Sequence, residues 1–293
     1  MRYWLQMLNT QAEDLVELCR FAEDCGFEGV LEGDHWFMPA LSGNHDPDER
    51  APMPWDYSFL DISAAAGYAL ASTKRLKFGS GVMVLANRTN PFLVAKGAAT
   101  LARLSGDRFV LGVGIGWMKE EYDIAGVDWR TRAPRTEEMV EVLRKLWGRG
   151  PVEHHGRFFD FQPTYAHPEP ARPVPIYIGA VAPPALRRAG RIGDGWMSMS
   201  SPVAAIAEQL QLVNEGRREA GRENEPFEVL AGLARDADGR SPTADDYRRA
   251  RDIGVTQIKF GPVEHRIGKL YCTLDEKKRA IERFAREVMQ VID

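Results

Sequence analysis

The chain has 293 residues, 44% of them hydrophobic and 27% charged, with a formal net charge of −4. A chain of this length buries roughly 75% of its unfolded surface, and its mild acidity leaves no electrostatic footprint for nucleic acid. No apolar run approaches the ~20 residues that cross a bilayer, and MRYWLQMLNT has no signal-peptide architecture, so a cytoplasmic protein without nucleic-acid or membrane partners is expected. Cys19, Cys25 and Cys272 form an odd set without a CxxC pair, as fits small apolar residues in a reducing compartment.

Arg2 to Leu8 reads as a first strand. Gln11 to Cys25 follows as a helix, with Leu15, Leu18, Cys19 and Ala22 at helical spacing and Gly26 at its stop. Phe27 to Leu31 is the second strand, ending at Glu32-Gly33-Asp34-His35. Residues 36–57 form a Pro-rich loop of a length usually tied to function, and Ser58 is placed to cap a helix over Phe59 to Ala71. Leu76 to Leu85 is strand three, and Pro91 opens a helix that runs to Leu104.

Arg108 to Ile115 is strand four, and Thr131 to Trp147 is a marked helix ended by Gly148 and Gly150. Glu153 to Pro170 alternates like a hairpin and reads as an insertion over about 153–170. Strands then follow at Val174 to Gly179, Gly195 to Met199, Phe227 to Leu233 and Val255 to Phe260. Helices follow them at Pro183 to Arg191, Pro202 to Ala220, Thr243 to Asp252 and Leu274 to Ile292. Eight strand-then-helix units without a linker predict an α/β fold, a single-domain (β/α)8 TIM barrel over residues 1–293 with insertions near 36–57 and 153–170.

The most informative stretch is RFVLGVGIGW, Arg108 to Trp117. A strand buried on both faces breaks into Gly112, Gly114 and Gly116, which leave bare backbone whose N–H groups suit a phosphate. A tight strand-to-loop turn would use the same glycines. Trp117 stands where the dinucleotide fingerprint needs glycine, so that fingerprint is absent.

Active sites of such barrels lie at the C-terminal ends of the strands. The candidates there are Asn9, Asp34-His35, Gly81 to Val84, Gly114 to Trp117, Gly179 to Val181, Ser198 to Ser200 and Lys259 to Gly261. This rim lacks the clustered histidines and carboxylates of a metal barrel, and no metal is expected. His45, His154, His155, His167 and His265 fall in loops or the insertion and read as exposed. Lys96, Arg103 and Arg108 read as solvated or helix-pairing. His35, beside Asp34, is the candidate for proton transfer, although a loop histidine satisfied by backbone would look the same. Several tryptophans near strand ends suit a planar ring or, equally, a core.

Asp34-His35, the block from Gly79 to Trp117 and PIYIGAVAPPALRRAGRIGDGW (Pro175 to Trp196) together resemble the luciferase-like monooxygenase superfamily, and most closely its branch that uses the deazaflavin coenzyme F420. The resemblance runs from strand one to strand six. It implies a non-prolyl cis peptide at Gly81-Val82 behind the cofactor ring, with Val84 beside it. It implies backbone contacts to the cofactor at Ile115 and Gly116, a phosphate-side loop at Gly179, Ala180 and Val181, a cofactor contact at Asp34 and proton transfer at His35. In the sugar-phosphate dehydrogenase branch a glutamate follows the glycine strand where this chain has Trp117; Glu120 or Glu121 could replace it.

The function expected from the resemblance is an F420-dependent oxidoreductase moving a hydride between the deazaflavin C5 and a small organic substrate, in a homodimer. Residues 36–57 and 153–170 would close over the site. One alternative is a flavin-mononucleotide (FMN) monooxygenase using molecular oxygen. The other is a barrel that binds its ligand without turnover, for which the missing carboxylate at Trp117 speaks.

Overall fold

The computed structural model describes residues 1–39, 56–235, 238–269 and 271–292. Eight parallel strands close into a barrel: β1 (Arg2–Gln6), β2 (Gly29–Asp34), β3 (Lys77–Val84), β4 (Phe109–Gly114), β7 (Ile176–Gly179), β8 (Gly195–Ser201), β9 (Glu228–Leu233) and β10 (Gln257–Phe260). Going round the wall the order is β1-β10-β9-β8-β7-β4-β3-β2. The remaining two strands, β5 (Val152–His155) and β6 (Asp160–Thr164), pair antiparallel as the expected hairpin insertion. Most of the expected first loop, residues 40–55, lies outside the described residues.

Helices α1 (Leu15–Asp24), α2 (Ile62–Ser72), α3 (Pro91–Ser105), α4 (Lys119–Ala125), α5 (Arg132–Leu146), α6 (Pro183–Ile192), α7 (Val203–Glu219), α8 (Ala244–Asp252), α9 (Val263–Ile267) and α10 (Leu274–Phe284) lie between or after the strands. The last helix passes into a π-turn at Ala285–Met289 rather than running unbroken to Ile292. The cap of α2 is Asp61, whose carboxylate accepts from the Ala64 amide at 2.8 Å; Ser58 instead donates its own amide to Asn9. The helix starts three residues beyond the expected position, because Ser58 and Phe59 first pack on the rim against Asn9 and His35. Arg108 is not solvated: its guanidinium binds the carbonyls of Ser105, Leu76 and Leu70, tying α2, β3 and α3 together.

Strand alternation divides the apolar residues into two cores. Leu5, Val30, Phe78, Phe109, Ile176, Trp196 and Ile258 face the helices. Trp4, Leu31, Val110, Tyr177, Met197 and Leu230 fill the lumen. Across the lumen floor the Trp4 indole donates to Gln257 Oε1, and Gln257 Nε2 donates to the Tyr177 hydroxyl at 3.1 Å. The floor is therefore closed by side chains, and the lumen opens only at the C-terminal rim.

Candidate active site

The rim is made by subtraction. Gly81, Gly114, Gly179 and Gly232 occupy lumen-facing positions in the upper layer of their strands, where a barrel core normally places branched side chains. On β3 the register slips by one residue between Gly79 and Met83, and the Gly81-Val82 peptide is cis, as the resemblance implied. The bulge turns Val82 into the lumen. A Cβ added at Gly114 would stand 2.7 Å from Val82 Cγ2, and one at Gly179 would stand 3.0 Å from Cγ1. One isopropyl group thus covers the bare backbone of two strands and forms a flat apolar back wall. Val84 does the same for Gly116, whose φ of +67° places it in the left-handed region.

His35 stands at the edge of this space, its ring edge-on to Phe59 and Trp117 at centroid distances of 5.0 and 5.3 Å. Its Nδ1 lies 3.2 Å from Glu121 Oε1. That oxygen also accepts the Trp36 amide at 2.8 Å, and Oε2 accepts from Asn87 Nδ2 at 3.3 Å. Glu121 is buried, in the first turn of α4. A carboxylate held on three sides fixes Nδ1 as the protonated nitrogen and leaves Nε2 to exchange a proton. Nε2 has no hydrogen-bond partner among the described residues. Trp117 packs edge-on against the His35 ring, and the carboxylate beside that ring belongs to Glu121, four residues on.

Asp34 is not paired with His35. Its carboxylate bridges to Arg88 at 2.5 Å, while burial pushes its pKa up against the pull of that guanidinium. Asp34 and Arg88 line a cavity of about 490 Å3 between the starts of α2 and α3. Ile115 offers its carbonyl to the Tyr122 hydroxyl at 2.6 Å, which pins the turn after the glycine strand. Ala180 is buried and accepts from the Trp196 indole, whereas Val181 is exposed just before Pro183 opens α6. The Ala182 cap of that helix supplies no side-chain acceptor, and because Pro183 and Pro184 carry no N–H, the Ala185 amide is the donor that its first turn leaves over.

Of the remaining histidines, His154 is buried rather than exposed. Hairpin alternation turns it toward α5, where Nε2 meets Glu138 at 3.3 Å. His155, on the other face, is exposed. Glu32, on the helix-facing side of β2, is fully buried and both its oxygens lack a hydrogen bond of ordinary geometry. Burial lifts its pKa to about 7.

The sequence pattern of the luciferase-like monooxygenase family matches residues 4–270. The chain belongs to this family. A family member from Mycobacterium tuberculosis (strain ATCC 25618 / H37Rv), an uncharacterized protein, is 33% identical over 282 residues, 94% of each chain. The F420-dependent glucose-6-phosphate dehydrogenase of Nakamurella multipartita is 32% identical over 222 residues, 74% of this chain and 61% of that enzyme. This chain thus spans about three-fifths of the dehydrogenase. In fold it matches an F420-dependent secondary alcohol dehydrogenase solved with an F420–acetone adduct, with a TM-score of 0.78 at 20% identity over 100% of this chain and 99% of that one. The family membership makes this chain an enzyme of the luciferase-like type, and among the described residues no helix is long and apolar enough to cross a membrane.

Proposed function

We propose that this family member is an F420-dependent oxidoreductase acting on a small organic substrate. The observation that carries the reading is the upper layer of lumen-facing glycines: Gly114 and Gly179 share Val82 as a flat apolar cover, which supports a slot for a planar ring. Val82 would back the cofactor ring, Ile115 and Gly116 would meet its edge, and the loop Gly179, Ala180 and Val181 ahead of α6 would meet its phosphate, through the Val181 amide rather than that of Ala180, which already donates to the Met197 carbonyl. Val84 and Asp34, the latter held by Arg88, support the flanks. Bound there, F420 supplies a two-electron hydride acceptor or donor at C5 of its ring.

The chain's own residues then manage the proton. When an alcohol carbon gives up its hydrogen with the bonding pair, the hydroxyl proton passes to Nε2 of His35, and the neutral carbonyl product remains. In the reverse direction Nε2 returns that proton to the oxygen. Glu121 holds the imidazole in the required tautomer and stabilises its charged form. That carboxylate supplies what Trp117 lacks, and it favours turnover over mere binding.

The enzyme is further assigned as a cytoplasmic homodimer. Exposed Leu93 and Ile124 flank the 490 Å3 cavity and support an apolar contact between copies. Light scattering on the eluted protein would read the oligomer directly. The decisive experiment on the cofactor is a fluorescence titration with F420 and, separately, with FMN. Micromolar binding of F420 with weaker FMN binding is expected (about −8 kcal/mol). The reverse preference, with oxygen consumed by the reduced flavin form, would replace this reading by the monooxygenase one.

A further inference from the structure

The upper layer contains one charge that no described residue answers. Lys259 lies on β10 between Ile258 and Phe260, which face the helices, so it projects into the lumen in the sense of Gln257. Its stem lies over Gly232: the position of an added Cβ there is 3.0 Å from Lys259 Cε and 2.6 Å from Ser200 Oγ. Among the described residues the ammonium has no hydrogen-bond or ion-pair partner, and its only electrostatic influence is desolvation, which draws its pKa down to about 8. The other withdrawn lysine is treated differently. Lys277 meets Glu264 at 2.9 Å and the carbonyls of Leu8 and Asn9.

An unanswered cation inside a barrel costs stability, and such a cost persists at sites that bind something. Its place in the wall says what. Val82 backs the β3, β4 and β7 side, and Lys259 with Ser200 stands on the opposite β8 to β10 arc. Anything planar resting on Val82 therefore turns its free face, where the second reactant must lie, toward Lys259.

We propose that Lys259 is a specificity-determining residue that anchors a carboxylate carried by the substrate, with the Ser200 hydroxyl as second donor. One ammonium and one hydroxyl match the two oxygens of a carboxylate and supply too few donors for a phosphate dianion. The substrate class is then a small hydroxy acid or oxo acid, oriented with its carbinol or carbonyl carbon toward the ring and its oxygen toward His35. This rests on the oxidoreductase reading, but the anchor can be read without the cofactor.

The test titrates the protein without cofactor with acetate, lactate and malonate, each against its amide at matched ionic strength, and follows the shift in Tm. Acids are expected to bind with saturation in the millimolar range and at least about tenfold better than their amides. Lys259→Met abolishes that preference while Lys259→Arg keeps it, and F420 affinity of Lys259→Met stays within about twofold of wild type. The Lys259→Met protein folds with a raised Tm near neutral pH, because a desolvated cation has been removed. That gain fades as pH rises from about 8 toward 10.5, where the wild-type amine becomes neutral in both folded and unfolded chains. Equal binding of acids and amides by the wild type, or an unchanged preference in Lys259→Met, overturns the proposal. A tenfold loss of F420 affinity would also overturn it, by assigning the lysine to the cofactor. Failure of the wild type to bind F420 would remove the oxidoreductase reading alone, since the acid and amide arms still decide the anchor.

Discussion

In the lower half of the lumen Gly29, Gly79, Gly112 and Gly195 each lie under a large neighbour: Trp4, Leu31, Met197 and Tyr177 respectively. In the upper half Gly114 and Gly179 share Val82, Gly81 meets Leu31 Cβ and the Gln6 amide, and the nearest atoms to Gly232 belong to Ser200 and the Lys259 stem. The same residue type thus serves two ends in one barrel. Below, the missing side chain is exchanged for a bigger one across the lumen, and the layer fills to core density. Above, the side chains facing Gly114, Gly179 and Gly232 are a valine, a serine and a lysine stem rather than large apolar groups, the feature on which the proposed ligand slot rests.

Substitutions on β4 break that comparison most directly. Gly112→Ala would put a methyl 2.0 Å from the Ser80 carbonyl, a backbone atom of the adjoining strand that cannot move aside. Its cost is expected to exceed about 3 kcal/mol, read as a fall in Tm or as insoluble protein; a soluble variant with the wild-type Tm would show that the lower layer is loose. His35→Ala probes the upper layer's rim. It should keep F420 binding and lower turnover by about two to three orders of magnitude. Unchanged turnover would return His35 to a merely structural role.

Gly114→Ala, two residues along the same strand, meets the Val82 methyl at 2.7 Å instead of backbone. Val82 can shift, so the expected cost in stability is only about 1–2 kcal/mol, with a loss of F420 affinity of about tenfold or more. If Gly112→Ala and Gly114→Ala lost equal stability and cofactor binding were untouched, the distinction between the layers would fall.

The smallest effect lies outside the lumen. Glu32 has its pKa raised from 4.5 to about 7, so the folded chain binds the proton more tightly than the unfolded chain. Its burial therefore costs nothing below the unfolded value and costs progressively more as pH rises from 4.5 to about 7. Glu32→Gln should raise stability by about 1 kcal/mol in mildly alkaline buffer and leave it unchanged in acid. A gain of the same size at both ends of the range would point to packing rather than charge.

The barrel itself was legible because its signals are local: each strand is a short apolar run, each helix a periodic one, and their alternation admits little else. His35 was legible from its place after β2. The cis peptide at Gly81-Val82 was not, since no local pattern distinguishes it, and it entered through the family resemblance alone. Glu121 was only half visible. It stands four residues beyond Trp117, one turn on, but what brings it to His35 is the closure of β2 against β3 and β4, a contact spanning 86 positions of sequence. His154 was misplaced for a related reason: alternation in a hairpin says that one of two adjacent histidines turns inward, but not that Glu138 on α5 waits for it. The silence around Lys259 is a property of three dimensions, because only a folded barrel reveals which cations have found an answer.

Trp4, Gln257 and Tyr177 shut the bottom of the barrel with a chain of hydrogen bonds. A vessel with one mouth imposes a sequence of events on its contents. Whatever lies deeper must arrive first and depart last, so the closed floor sets the order in which two reactants are taken up as well as holding the wall together.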